Sequence, residues 1–353
     1  MSADQRHRQD SRIRHTVATD PRVRRRPDLV TAGTGVALLT ALVLWIQVST
    51  AISGGRSGPA SLLVAAAGVT FALARLITRR CRWAVPAVVT ACAAGLLLLP
   101  DAIHERFLGY ANAACAFQVL GAAAALMLAA RQRHVAVRAV AFLMAAGSAA
   151  AVVASDCRAA AVGMALVGLA WLGQRRVGNG RTAILGGVSL VVLALVISTT
   201  MGALSLGARG TSSRETRLVD ATFSAVRVEL WHDALAMVHA KPLTGVGPGR
   251  FAELSPTARL DDDWRWAHHE LLQLAAETGL VGLALGIAVA AWVFARLWCS
   301  RHDVGAVIAA AAIAALLTNA TVDYVLHFPA VTLAAAALAA AGVSQTRRSA
   351  LSS

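Results

Sequence analysis

Charge is scarce in this chain: only 15% of its 353 residues are charged, against 57% hydrophobic residues and a mean hydropathy of +0.61, which excludes a soluble domain of this length. Lysine is nearly absent, with Lys241 alone, a bias that points to a high-GC genome and says little about chemistry. The five cysteines, at 81, 92, 115, 157 and 299, form no CxxC and have no histidine at metal-ligand spacing. A disulfide framework, a structural metal and redox chemistry are therefore not expected, and Cys157 near the outer face has no evident mate. Internal repeats are missing, and so are clusters of mid-span charge beyond Arg75 and Glu277, which argues against a transporter or flippase.

What is present is a series of apolar runs long enough to cross about 30 Å of hydrocarbon as helices. Their Ala, Leu, Val and Gly content fits an all-α polytopic bundle better than alternating barrel strands. Ten spans are expected, at 29–52, 60–78, 83–99, 110–130, 139–154, 159–174, 182–203, 270–297, 304–320 and 329–344. Seven of them make an N-terminal bundle over 29–203 and three a C-terminal group over 270–344. A long loop, 204–269, separates the two groups.

Arginine sets the orientation, because short cytoplasmic loops retain it. Arg79, Arg80 and Arg82, then Arg131, Arg133 and Arg138, then Arg175, Arg176 and Arg181, and finally Arg301, Arg347 and Arg348 fall on one side. The opposite short connections hold only Arg56, Arg106 and Arg158. Both termini are expected inside and the long loop outside, where its own arginines are exempt from the rule. Residues 1–28 read as a disordered basic cytoplasmic arm against anionic headgroups, not a cleaved leader, and 345–353 as a cytoplasmic tail. Orientation and this arm account for most of the net charge of +14, so nucleic acid is not an expected partner.

The outer loop carries the chemistry. Phe223, Val226, Leu230, Ala234 and Met237 recur at helical intervals, which predicts an amphipathic helix on the outer membrane surface with Arg227, Trp231 and His232 close together. Pro242 ends it, and Gly245, Gly247 and Gly249 form a tight turn before Arg250. Such a turn either cradles phosphate through its amide groups or lets the chain double back. Asp261, Asp262 and Asp263 follow, then Trp264 and Trp266 as expected interface markers. His268 and His269 come next, at the mouth of the eighth span. An imidazole titrates near neutrality and can take a proton from a hydroxyl. Adjacent helical residues point about 100° apart, so only one of the pair is expected to serve. Glu277, inside an apolar span, needs a partner, either an arginine or a hydrogen bond that fixes its helix.

These residues resemble the O-antigen ligase and polymerase superfamily of bacterial envelope glycosyltransferases. Its Pro-Leu-x-Gly-x-Gly-x-Gly-x-Phe pattern is similar to Pro242 to Phe251, and its His-Asn-x-x-Leu-x-x-x-x-Glu-x-Gly-x-x-Gly to His268 to Gly282. Arg227 with Trp231 resembles its Arg-x-x-x-Trp, and Ser155 to Arg158 an outer Ser-Arg pair. The resemblance implies a GT-C-like fold and transfer of a glycan from undecaprenyl diphosphate to an acceptor hydroxyl at the outer face of the bacterial inner membrane. The acceptor would be a glycan, a lipid or a protein, and no cofactor or metal would take part. His268 would be the general base; Arg158, Arg227 and Arg250 would bind the diphosphate through their planar forks. Gly245, Gly247, Gly249, His269, Glu277 and Asp323 would support them. Two departures stand out: His269 replaces the usual Asn, and the chain is shorter than typical members with about twelve spans.

In the last outer loop, Thr321, Asp323, Tyr324 and His327 either line an acceptor pocket, with Asp323 orienting His268 or pairing with an arginine, or form an ordinary interfacial turn. A polymerase of the same superfamily, a lipid-linked glycan transporter and a non-catalytic scaffold remain as alternatives to a ligase.

Overall fold

The structure, a computed structural model, describes residues 21–98, 109–155, 157–176, 187, 194, 196–205, 225–261 and 264–343. The arm over 1–20, Arg106, most of the expected seventh span, the loop over 206–224 with Phe223, the pair Asp262 and Asp263, and the tail lie outside the described residues. Helices are α1 (Pro21–Ser53), α2 (Ser57–Arg80), α3 (Ala84–Leu98), α4 (Ala111–Arg131), α5 (Val135–Ala154), α6 (Arg158–Arg176), α7 (Ala225–Ala240), α8 (Phe251–Leu254), α9 (Glu270–Cys299), α10 (Val304–Ala320) and α11 (Pro329–Gly342). A further helical stretch covers Val196–Ser205. α1 begins at Pro21, so the end of the expected disordered arm is helical; proline suits a first turn and the arginines that follow are good helix formers.

Among the described residues five helices, with bounds Gly33–Ser53, Ser57–Arg80, Ala111–Arg131, Val135–Ala154 and Glu270–Cys299, are long and apolar enough to cross a membrane. α3, α6, α10, α11 and Val196–Ser205 are shorter apolar helices or apolar stretches. α4 and α10 lie at the centre, buried along nearly their whole lengths. Both are dominated by alanine, whose small side chain lets neighbouring backbones approach where lipid offers no hydrophobic drive. Leu120, Met127, Ile308 and Leu338 fill the remaining space of that core.

Successive connections alternate between two ends. At one end the Arg131 guanidinium donates to the carbonyls of Arg82, at 2.7 Å, and Ala341, at 2.9 Å, while Asp303 lies 3.8 Å from Arg131 and 3.6 Å from Arg82. This is the end that the arginine distribution assigns to the cytoplasm. At the other end the connections after α1, before α4, before α6, before α9 and after α10 all meet.

A second core, separate from the bundle, belongs to that end. Val228, Leu230, Trp231, Ala234 and Met237 of α7 pack with Val246, Phe251, Ala267, Leu272 and Ala276. The predicted surface helix is thus present, but it packs on the start of α9 through a buried face. His232 points to the exposed side, away from Trp231.

α9 is broken. Gly279 has φ 71° and ψ −178°, so the helix opens within an apolar segment, and each freed backbone group needs a protein partner. The glycine turn supplies several. Val246 N donates to Ala276 O at 2.9 Å, Gly247 N to Glu277 O at 3.0 Å, and Leu280 N to Pro242 O at 2.8 Å. α1 supplies the rest from a stripe spaced by four: Trp45 Nε1 reaches Thr278 O at 2.8 Å, Ser49 Oγ the Glu277 and Thr244 carbonyls at 3.3 and 2.6 Å, and Ser53 Oγ Gly245 O at 2.8 Å.

The two backbones approach so closely that side chains are excluded. A Cβ on Gly279 would lie 2.1 Å from Leu243 O, and one on Gly245 2.4 Å from the Glu277 carbonyl. Gly279→Ala should therefore lower detergent-solubilised stability by at least ~2 kcal/mol, adding steric overlap to left-handed strain. Gly168→Ala, in α6 with nothing within 4 Å of the added carbon, should leave the unfolding midpoint unchanged or slightly raised. Equal midpoints for the two variants would remove this account of the break.

Candidate active site

The histidine pair precedes the helix rather than opening it. His269 is the N-cap of α9, and His268 before it has φ 49°, the single left-handed non-glycine residue among those described. The pair is therefore not helical, and the 100° separation expected of adjacent helical residues does not apply. The imidazoles nevertheless diverge, because one residue is left-handed and the next extended.

His269 turns inward. It is fully buried with its ring edge toward Trp231 of α7, centroids 6.2 Å apart, and its Nδ1 accepts from Leu272 N at 3.4 Å. That is an N-cap bond, satisfying a helix amide that otherwise has no partner. The imidazole thus does what an asparagine side chain does at a cap. Burial pushes its pKa down to about 4 against its backbone hydrogen bond, so it is neutral and free to accept.

His268 turns to the loop after α10. Its Nδ1 lies 3.2 Å from Asp323 Oδ1, at ion-pair distance though without the alignment of a hydrogen bond. Unliganded catalytic contacts are often of this kind. The ring stands edge-on to Tyr324, 4.9 Å away, and to Tyr110 at 6.5 Å. Nε2, on the far side of the ring, is directed away from the carboxylate. Left-handed strain on a non-glycine residue is a cost that clusters at functional sites.

Asp323 is 1% exposed and saturated with donors. Tyr110 Oη donates to its Oδ2 at 2.7 Å, Asn112 Nδ2 donates to the same oxygen, and Tyr324 N donates to Oδ1 at 2.8 Å. Burial alone would raise its pKa, but His268 and these donors outweigh that and hold it below the usual carboxylate range. The loop after α10 thus brings Asp323 and Tyr324 against His268. Tyr110 and Asn112, at the start of α4, were not singled out from the sequence, since no spacing links them to residues more than 200 positions away.

Arg227 reaches the same loop, donating to Val322 O at 3.1 Å. One turn on, Trp231 packs on His269, so the Arg-x-x-x-Trp spacing places a buried anchor and a cation on one face of α7. Arg158 is exposed at the start of α6, next to Cys157, whose Sγ lies 3.2 Å from Asn112 Oδ1. Cys157, expected to have no mate, neighbours Cys115, and burial with that neighbour pushes its thiol up to about 12. Both thiols are free.

Arg250 goes elsewhere. Its Nη1 donates to Ser53 O at 2.6 Å and Val246 O at 3.4 Å, and its Nε lies 3.5 Å from Glu253. Together with Arg56 N, which donates to Pro248 O at 2.8 Å, it ties the glycine turn to the connection after α1 rather than joining His268. The turn's amides are likewise spent inside the protein, on Lys241, Ala276 and Glu277 carbonyls. Of the two readings of the glycines, the geometry carries the doubling-back one; the phosphate cradle is corrected, because a cradle needs free amides.

Among the described residues no arginine pairs with Glu277. Its Oε1 accepts from Gln273 Nε2 at 2.8 Å and from Phe251 N at 3.4 Å, and Gln273 Oε1 accepts from Ala267 N at 2.7 Å. This ladder pins Phe251 and Ala267, both ahead of the strained His268 in the chain, to α9. Trp266, expected as a membrane marker, lies 4.0 Å from the His327 ring and 5.8 Å from Tyr324. His327 Nδ1 lies 3.2 Å from Glu270, which outweighs burial and raises its pKa.

Residues 134–287 match the family model described as O-Antigen ligase. The matched stretch includes Arg158, Arg227, the glycine turn, both histidines and Glu277, while Tyr110 and Asp323 lie outside it. No curated protein matches the chain significantly.

The cap assignment has a pH signature. A neutral folded His269 with its pKa near 4, against 6.5 when unfolded, contributes fully above pH 6.5, and that contribution falls away as pH drops toward 4. The loss amounts to about 3 kcal/mol at most. His269→Asn should keep the cap and flatten this part of the stability profile, measured as the thermal midpoint in detergent against pH. An unchanged slope in that variant would show that another group titrates.

Proposed function

We propose that the chain, whose O-antigen ligase domain at 134–287 supports its place in the O-antigen ligase and polymerase superfamily, is a membrane glycosyltransferase. In this reading it moves a glycan from undecaprenyl diphosphate to an acceptor hydroxyl at the outer face of the bacterial inner membrane. The observation that carries the proposal is the strained His268 beside the buried, donor-saturated Asp323, with Arg227 of α7 bonded to the same loop.

Asp323 holds the Nδ1 proton and orients the ring, leaving Nε2 to take the proton of the acceptor hydroxyl. The acceptor oxygen then forms a bond to the anomeric carbon from the face opposite the carrier, and configuration inverts. The bond from that carbon to the phosphate oxygen breaks, and its electron pair leaves with the diphosphate. Arg227 and the exposed Arg158 meet the charge that builds there; guanidinium groups stay ionised and match phosphate oxygens in pairs. Arg250 contributes by holding the glycine turn. No step draws on a cofactor.

The break in α9 is a feature that transporters share, but here the carbonyls of Ala276, Glu277 and Thr278 each accept from a protein donor, which favours a structural role for the break. A ligase or polymerase remains the better reading. The two differ in acceptor, and both use the same base.

His268→Ala should lower transfer in membranes by about 100-fold or more, the scale of general-base catalysis, with carrier-linked glycan accumulating and protein level unchanged. Asp323→Asn should fall in the same range, and Arg227→Ala should mainly weaken donor binding. Full transfer by His268→Ala together with loss in His269→Ala would mean that the wrong imidazole has been chosen.

A further inference from the structure

The chain contains two tyrosines, Tyr110 and Tyr324, and they stack on one another beside His268, ring centroids 4.8 Å apart at 21°. Tyr110 also stacks on Phe328, 5.8 Å away at 10°. The three rings form one aromatic cluster, with Tyr324 and Phe328 5.7 Å apart, and the Tyr110 hydroxyl is aimed at Asp323 Oδ2 at 2.7 Å. Packing alone explains the ring, and a phenylalanine would pack as well.

The hydroxyl divides the carboxylate. Tyr110 and Asn112, both from the start of α4, occupy Oδ2, whereas Oδ1 faces the Tyr324 amide and His268. With Oδ2 saturated, Oδ1 alone is left for the imidazole. This fixes which nitrogen is paired and how much negative charge that nitrogen meets. We infer that Tyr110 is a positioning residue for the transfer reaction, setting the orientation and basicity of His268 through Asp323.

The inference rests on the reading of His268 as the base. Removing the phenol removes a donor from Asp323 and leaves more charge on Oδ1, so imidazolium is better stabilised and the His268 titration moves up. Other titratable or charged groups bordering this cluster are Arg227 from α7, Cys157 and Arg158 from the start of α6, Tyr324 on the loop, and beyond Tyr324 the His327 and Glu270 pair. None of them is altered by the substitution.

Diethyl pyrocarbonate acylates unprotonated imidazole, so site-resolved mass spectrometry of the full-length protein against pH yields the His268 midpoint without any substrate. Tyr110→Phe, which keeps the stack, should raise that midpoint by about half a pH unit or more, a modest part of the usual range for hydrogen-bonded neighbours. In an Asp323→Asn background the same substitution should shift nothing. Transfer in membranes should lose kcat several-fold with little change in KM.

Were Tyr110→Phe not to accumulate, global 3-fluorotyrosine in a Tyr324→Phe chain would place the label at position 110 alone. The more acidic phenol then strengthens the bond, and the midpoint should fall. An unmoved midpoint in whichever of the two is measured, or an equal shift in the Asp323→Asn background, overturns the inference. Full transfer by His268→Ala overturns instead the reading beneath it, whatever the midpoint does.

Discussion

A helix opened inside an apolar segment leaves backbone groups that water cannot reach, and the arrangement of this protein follows from how α9 meets that requirement at Gly279. The turn over Pro242 to Gly247 exchanges backbone hydrogen bonds with Ala276, Glu277 and Leu280, and α1 completes the set from Trp45 and Ser49. The exchange brings the outer loop down against the start of α9, and α7 and the second hydrophobic core are built over that seam.

From the seam outward the chemistry is positioned by successive short links. Gln273 and Glu277, one turn apart on α9, hold Ala267 and Phe251 by their backbone amides. His269 caps the helix and packs on Trp231, which leaves His268 in a left-handed conformation facing Asp323. The starts of α4 and α6 close the remaining side, α4 through Tyr110 and Asn112 and α6 through Cys157 against Asn112. A buried carboxylate is costly unless donors surround it; Asp323 has four groups within reach, so its charge is kept where an imidazole can use it.

Much of the architecture was legible in local pattern. Among the described residues the expected apolar runs are helical, and the arginine bias separated two sets of connections that lie at opposite ends, as Arg131 with Asp303 at one and His268 with Asp323 at the other illustrate. The spacing of α7 identified its buried face. Where the local reading failed, a non-local partner was the cause. The glycine turn stayed open between cradling phosphate and doubling back because spacing does not show its amides engaged by α9, and the resemblance offered Arg250 to the diphosphate because Ser53, to which it donates, lies 197 positions away in sequence. Trp45, Ser49 and Ser53, spaced by four on an otherwise apolar helix, were a visible signal that passed unread.

Composition, periodicity and charge bias are properties of neighbouring residues, so the sequence by itself determined an α-helical, membrane-type chain, the order of its helices, and the loop in which the histidine and glycine motifs lie. Which imidazole caps α9 and which faces Asp323 depends on a single left-handed φ at His268. What that imidazole faces depends on residues from α4 and from the loop after α10 that share no sequence neighbourhood with it. Those were decided by the tertiary structure, because hydrogen bonds in a bundle are made across helices, and one residue's rotation about a helix axis selects a different set of partners.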